Sequence, residues 1–142
     1  MTKEESQTET LNKMKKEIIY TKDAPEPIGP YNQAIKIDRT LYVSGQIPLI
    51  PGKMELVNND LEKETIQVMK NLEAILLKAN MTFDNVIKTT IFLSDMSNFE
   101  KINKVYGRYF NPERAPARET VEVSNLPKYV RLEISVIAFQ FD

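Results

Sequence analysis

The stretch DLEKETIQVMKNLEAILLKAN, Asp60 to Asn80, followed shortly by VIKTTIFL, Val86 to Leu93, decides the fold class. In the first segment Leu61, Val68, Met69, Leu72, Ile75, Leu76 and Ala79 recur at helical spacing, which makes a long helix with one apolar face. Asn59, with Glu62 following at capping-box distance, reads as its N-cap, and Asn80 reads as a left-handed terminator. The second segment is dense in β-branched side chains and reads as a strand. An amphipathic helix that delivers the chain into such a strand calls for a sheet on which to lay its apolar face.

The flanking sequence supplies that sheet. Upstream, Glu17 to Tyr20 is a short strand candidate, and the proline-rich Ala24 to Pro30 is a loop. Ala34 to Ile37 and Thr40 to Ser44 flank Asp38-Arg39 as a tight hairpin, although the turn lacks the usual glycine. Gly45 to Asn58 is irregular. Downstream, Ser97 and Glu100 form a capping box for a second helix, with Phe99, Ile102, Tyr106 and Phe110 as its apolar stripe and Pro112 as its stop. Ala117 to Val123 and Val130 to Phe139 flank a short loop with Pro127 and are predicted to pair antiparallel. The order β-β-α-β-α-β-β predicts a single α+β domain over 17–142, a mixed sheet with two helices on one face. Residues 1–16 read as a loose tail, with a short helix at most in Thr8 to Lys16.

Composition narrows the chemistry. At 142 residues the chain is one domain's worth, and 42% hydrophobic with 27% charged residues is globular. Nineteen basic against 20 acidic residues give a net charge of −1, so no global positive field draws in nucleic acid. The absence of cysteine rules out disulfides and thiolate chemistry, and the absence of histidine excludes the common triads and histidine-rich metal sites. No arrangement of the four glycines makes a dinucleotide or phosphate loop. No apolar run reaches the roughly 18 residues of a membrane span, and the first residues lack the pattern of a leader. A soluble, cytoplasmic protein without metal or cofactor is expected, whose acid or base groups are Glu, Asp, Lys, Tyr or water.

Two charged residues stand out in the terminal strands. In the last one Leu132, Ile134, Val136 and Ala138 share one face, and Arg131, Glu133 and Ser135 the other. If Val121 and Val123 mark the core side of the preceding strand, Arg118, Thr120 and Glu122 join the polar face. Pairing Val123 with Val130 then sets Glu122 across from Arg131 and leaves Arg118 and Glu133 as diagonal neighbours about 7–8 Å apart. Arginine binds a carboxylate through two parallel hydrogen bonds, and a nearby glutamate can orient a water. The same pair on a solvated surface is an ion pair worth about 0–1 kcal/mol. Exposed apolar residues such as Ile137 and Phe139 on that face suggest that another subunit covers it.

The stretches IGPYNQAI (Ile28 to Ile35), LYVSGQIPL (Leu41 to Leu49), VIKTTIFLSDMSNFEKINKVYGRYF (Val86 to Phe110) and APARETVEVSNLPKYVRLEISVIA (Ala115 to Ala138) together resemble the RidA/YjgF family of reactive-intermediate deaminases. The resemblance spans Glu17 to Phe139. It implies a chorismate-mutase-like fold, a homotrimer with sites in the clefts between subunits, and hydrolysis of 2-imino acids such as 2-iminobutanoate and 2-iminopropanoate to 2-oxo acids and ammonia. Arg118 matches the arginine that clamps the substrate carboxylate, and Glu133 the glutamate associated with the hydrolytic water. Tyr31, Ser44, Gly45, Asn103 and Thr120 match positions that line the cleft.

Two positions depart from the family pattern. Thr120 stands where many relatives carry cysteine, and Glu119 where they carry a small residue; by strand alternation Glu119 should point away from Arg118. Two other functions remain open: a sensor that binds 2-oxo acids without catalysis, and cleavage of single-stranded RNA, an activity attributed to some relatives. The even charge balance and the lack of a basic-aromatic groove in the pattern weigh against the last.

Overall fold

The computed structural model describes residues 2–4 and 15–142. Most of the expected tail helix, Thr8 to Lys16, lies outside the described residues. Six strands form one sheet: β1 (Glu17–Ile19), β2 (Ala34–Ile37), β3 (Thr40–Gln46), β4 (Val86–Leu93), β5 (Ala117–Glu122) and β6 (Leu132–Phe139). Their order across the sheet is β1-β2-β3-β6-β4-β5, and all pairs are antiparallel except β4 with β5. Two helices, α1 (Leu61–Lys78) and α2 (Phe99–Tyr106), cover one face. This is the expected mixed α+β sheet, with Glu17–Ile19 added as an outer strand.

The core is the apolar face of α1 laid on the sheet. Val68, Met69, Leu72, Ile75 and Leu76 of α1 are fully buried with Leu41, Ile91, Leu93, Leu132 and Ile134 from the strands. Each such side chain contributes about 1.5–3 kcal/mol on leaving water, which is why the helical spacing of Asp60 to Ala79 survives intact. Its N-cap is Asp60 rather than Asn59: the Asp60 carboxylate accepts from the Lys63 N–H, and Asn59 takes φ +65 to turn the chain in. Asn80 ends the helix as expected, at φ +59. Asp38 supplies the left-handed residue of the hairpin turn at φ +53, a role asparagine and aspartate fill more readily than other side-chain-bearing residues.

The second helical segment begins differently from the reading of Ser97. Asp95 accepts from the Ser97 N–H and caps a 3-10 turn, Met96–Asn98, from which α2 continues without a side-chain cap. It ends at Tyr106, ahead of Pro112, and a further 3-10 turn carries the chain to Tyr109. Tyr106, Tyr109 and Phe110 then close around Phe83 and one another, with ring centroids 4.6–5.4 Å apart.

The larger correction concerns the last two strands, which do not pair with each other. β4 lies between them, parallel to β5 and antiparallel to β6, so Glu122 and Arg131 never face one another. Glu122 instead accepts from the Met96 N–H at 2.8 Å, and Arg131 reaches the buried Glu64 of α1. The loop between β5 and β6 is short enough in sequence for a hairpin, but the sheet order overrides it. β6 has two antiparallel neighbours, β3 and β4, and its position between them leaves β5 only the outer edge of β4.

Candidate active site

Strand register fixes which way each candidate side chain points. Arg118 on β5 lies level with Thr89 on β4, which lies level with Val136 on β6; Thr89 and Val136 are buried beneath the helices. Arg118 therefore projects on the helix side. Glu133 lies level with Phe92, and Phe92 with Val121, which is 39% exposed on the open side. Neighbours across a sheet share a face, so within one chain Arg118 and Glu133 lie on opposite faces, not as diagonal partners. Val121 does not mark a core side. β5 is an edge strand that overhangs the helix layer, and no residue of it is fully buried.

On the helix side Arg118 is held without being neutralised. Its Nη1 donates to the side-chain amide oxygen of Asn103, Oδ1, at 2.7 Å, and its Cζ lies 5.0 Å from the Tyr106 ring centroid and 5.7 Å from that of Phe99. Cation–π contact of this kind contributes about 0.5–1 kcal/mol at exposed sites. Tyr106 is itself fixed, its hydroxyl donating to Thr89 Oγ1 at 3.0 Å, and burial pushes its phenol above the ordinary range. Among the described residues no carboxylate pairs with Arg118. Thr120 shares this face, and its hydroxyl oxygen is buried with no hydrogen-bond partner among the described residues. Glu119 points the other way, bonded to Lys88 and Thr90, and the Lys88 ammonium holds its carboxyl below the usual range. The acid next to the arginine therefore leaves its charge untouched.

Glu133 belongs to a second cluster, at the end of β3. A β-bulge between Val43 and Gln46 interrupts the pairing of β3 with β6, and Gly45 sits within it. A Cβ added at Gly45 would lie 2.7 Å from Glu133 Cδ and 2.9 Å from its Oε2, so only glycine lets the carboxylate lie against the backbone. Among the described residues nothing hydrogen-bonds or ion-pairs with Glu133, and burial raises its carboxyl above the ordinary range. Ser44 donates its hydroxyl to the Asn32 carbonyl at 2.6 Å, and its N–H donates to the Gln33 carbonyl. Tyr31 is half exposed, its hydroxyl accepting from the Ile28 N–H at 3.0 Å.

Two buried amides hold the loops around this cluster. The Gln33 side chain accepts from the Thr21 N–H and donates to the carbonyls of Thr21, Ala24 and Pro25, which fixes the proline-rich loop. Asn71 of α1 donates to the carbonyls of Ile47 and Leu49 just past Gly45. A small cavity lined by Ile28, Tyr31, Gly45 and Gln46 opens between those loops.

The seven residues expected at the site thus fall into two clusters, Arg118 with Asn103 and Thr120, and Glu133 with Tyr31, Ser44 and Gly45. Phe99 and Tyr106 were read as core stripe only. Their spacing from Asn103 does put all three on one side of α2, but nothing in the pattern tied that side to Arg118. Among the described residues no group of His, Cys, Asp or Glu is placed to hold a metal ion.

Residues 21–140 match the family model described as Endoribonuclease L-PSP. A RutC family protein of Pyrococcus horikoshii is 50% identical over 125 residues, 88% of this chain and 98% of the relative. The fold is similar to that of a Rid family protein from Yersinia pestis, with a TM-score of 0.86 and 51% identity over 89% of this chain and all of that one. It is also similar to Escherichia coli TdcF, solved with bound serine, at a TM-score of 0.83 and 37% identity over 88% of this chain and 99% of that one.

Proposed function

The chain belongs to the RidA/YjgF family, and on that premise we propose that it hydrolyses reactive 2-imino acids to 2-oxo acids and ammonia at a site shared between two copies of itself. The observation that carries this reading is Arg118: an arginine held by an amide and two aromatic rings, with no acid among the described residues to neutralise it. Such a group is preorganised for a carboxylate, which it can grip through two parallel hydrogen bonds. That a relative, TdcF, holds serine fits a pocket for small carboxylates.

The opposite orientations of Arg118 and Glu133 are what support a site made by two copies. The open face carries Ile18, Ile37, Tyr42 and Val121, each 39–56% exposed, an apolar surface of the kind that marks an interface. A second copy laid against it brings its Arg118, Asn103 and Thr120 towards Glu133, Gly45, Ser44 and Tyr31 of the first. A ring of three such copies closes if each interface is heterologous.

In that cleft Arg118 fixes the carboxylate and so the position of the iminium carbon. Glu133, without a partner among the described residues and with its carboxyl raised by burial, is a stronger base than an ordinary carboxylate. It takes the proton from water as the water oxygen bonds to the carbon and the C=N π electrons move to nitrogen. Glu133 returns the proton to the nitrogen, and collapse of the carbinolamine then breaks the C–N bond and expels ammonia as the hydroxyl proton passes back to the Glu133 carboxylate, which leaves the 2-oxo acid. Imines are already electrophilic, so positioning supplies much of the acceleration. Arg118→Ala should abolish the stimulated release of 2-oxobutanoate from a mixture of threonine dehydratase and threonine; release equal to that of the unaltered protein would refute the assignment.

A further inference from the structure

A separate concavity lies on the helix side of the sheet, walled by the first turn of α1 and the flank of α2, with a volume of about 530 Å3. Lys101, Lys104, Arg108 and Arg131 line it, against Asp60 and Glu62. Glu62 is bonded to Arg108 at 2.9 Å, and Asp60 is occupied in capping α1. Among the described residues Lys101 and Lys104 have no ion-pair partner. In a chain whose net charge is −1, this cavity is a local excess of positive charge.

Arg131 and Asn59 also line a second cavity of about 340 Å3, at whose edge Tyr129 stands. Arg131 is fixed there along one edge of its guanidinium, where Nε and Nη2 donate to the two carboxylate oxygens of the buried Glu64. Tyr129 is 84% exposed, and it and Lys128 both hold φ +55, a backbone state that costs roughly 1–3 kcal/mol for residues with a side chain. A bare aromatic ring on a strained turn therefore sits beside a cavity in which, among the described residues, Lys101 and Lys104 have no acid of their own.

We propose that the two cavities form one binding site for a phosphate monoester carrying a flat ring, with the phosphoryl group at Lys101, Lys104 and Arg131 and the ring against Tyr129. Both volumes fall in the range of small-molecule sites, about 300–1,000 Å3. At about 100° per residue, Lys101 and Lys104 leave α2 on the side opposite Phe99 and Asn103. The helix thus separates this site from Arg118, and a second copy on the open sheet face would leave it uncovered. The proposal stands apart from the deamination reading.

Titration calorimetry of the full chain with AMP, ribose 5-phosphate and adenosine tests it. AMP should bind saturably, more tightly than either fragment. The double variant Lys101→Ala/Lys104→Ala should weaken AMP about tenfold or more. Tyr129→Gly, which relieves the strained φ, should bring AMP down to the affinity of ribose 5-phosphate. Arg118→Ala should leave AMP binding unchanged. Absence of saturable AMP binding, or unchanged affinity in the lysine or tyrosine variant, would overturn the proposal. So would loss of AMP binding in Arg118→Ala, since it would place the ligand at the carboxylate site instead.

Discussion

At the residue scale, Glu133 and Gly45 act as one unit. The carboxylate lies where a Cβ at position 45 would have to be, and among the described residues neither donor nor cation compensates its burial. The folded state therefore holds the Glu133 proton at pH values where the unfolded chain has lost it. Its contribution to stability is fullest below the ordinary carboxylate range and is lost as pH rises through the raised folded value. Glu133→Gln should thus melt higher than the unaltered protein at neutral pH, with the gap closing in acid, while deamination falls about 100-fold or more. A gap that persists unchanged into acid would mean that Glu133 is not the titrating group. Gly45→Ala should displace the flexible end of Glu133 rather than the backbone. It should therefore cost activity well before stability, and an alanine variant of full activity would show that the close approach has no role in catalysis.

At the scale of elements, α1 was legible in the sequence and β5 was not, for the same reason. Burial writes a period into a sequence, and α1 is buried along a whole face, so its apolar spacing could be read directly. β5 lies at the sheet edge beyond the helices, where Val121 faces outward and Arg118 faces α2, so its alternation carries no inside or outside. The residue types of the site were therefore readable, while their division between two faces was not, because it depends on β4 lying between β5 and β6. What α2 adds is orientation of Arg118. Tyr106→Leu removes the nearer ring and should raise KM about two- to fivefold with kcat little changed, the equivalent of a lost cation–π contact. Tyr106→Phe keeps the ring and should keep KM, although it strands the buried Thr89 hydroxyl and lowers the melting temperature. A purely structural role for Tyr106 would instead leave KM the same in both.

At the scale of the whole molecule, the two clusters pose a geometric problem that one chain cannot solve, since a sheet separates Arg118 from Glu133. If the reaction needs both, the two come from different copies, and the proposed meeting surface is the apolar open face. Tyr42→Asp places a charge on that face and should yield folded, inactive monomers by sedimentation. A sharper consequence concerns mixtures. Arg118→Ala and Glu133→Gln should each be inactive alone, yet refolded together they create interfaces at which an intact Arg118 from one variant meets an intact Glu133 from the other. On random mixing of equal amounts, such interfaces make up about one in four of a closed heterologous ring. Activity should therefore return to about a quarter of the unaltered level, without any recovery when the subunits are mixed but not allowed to exchange. A mixture that stays inactive after proven exchange would place both residues in the service of a single chain, and the shared site would have to be abandoned.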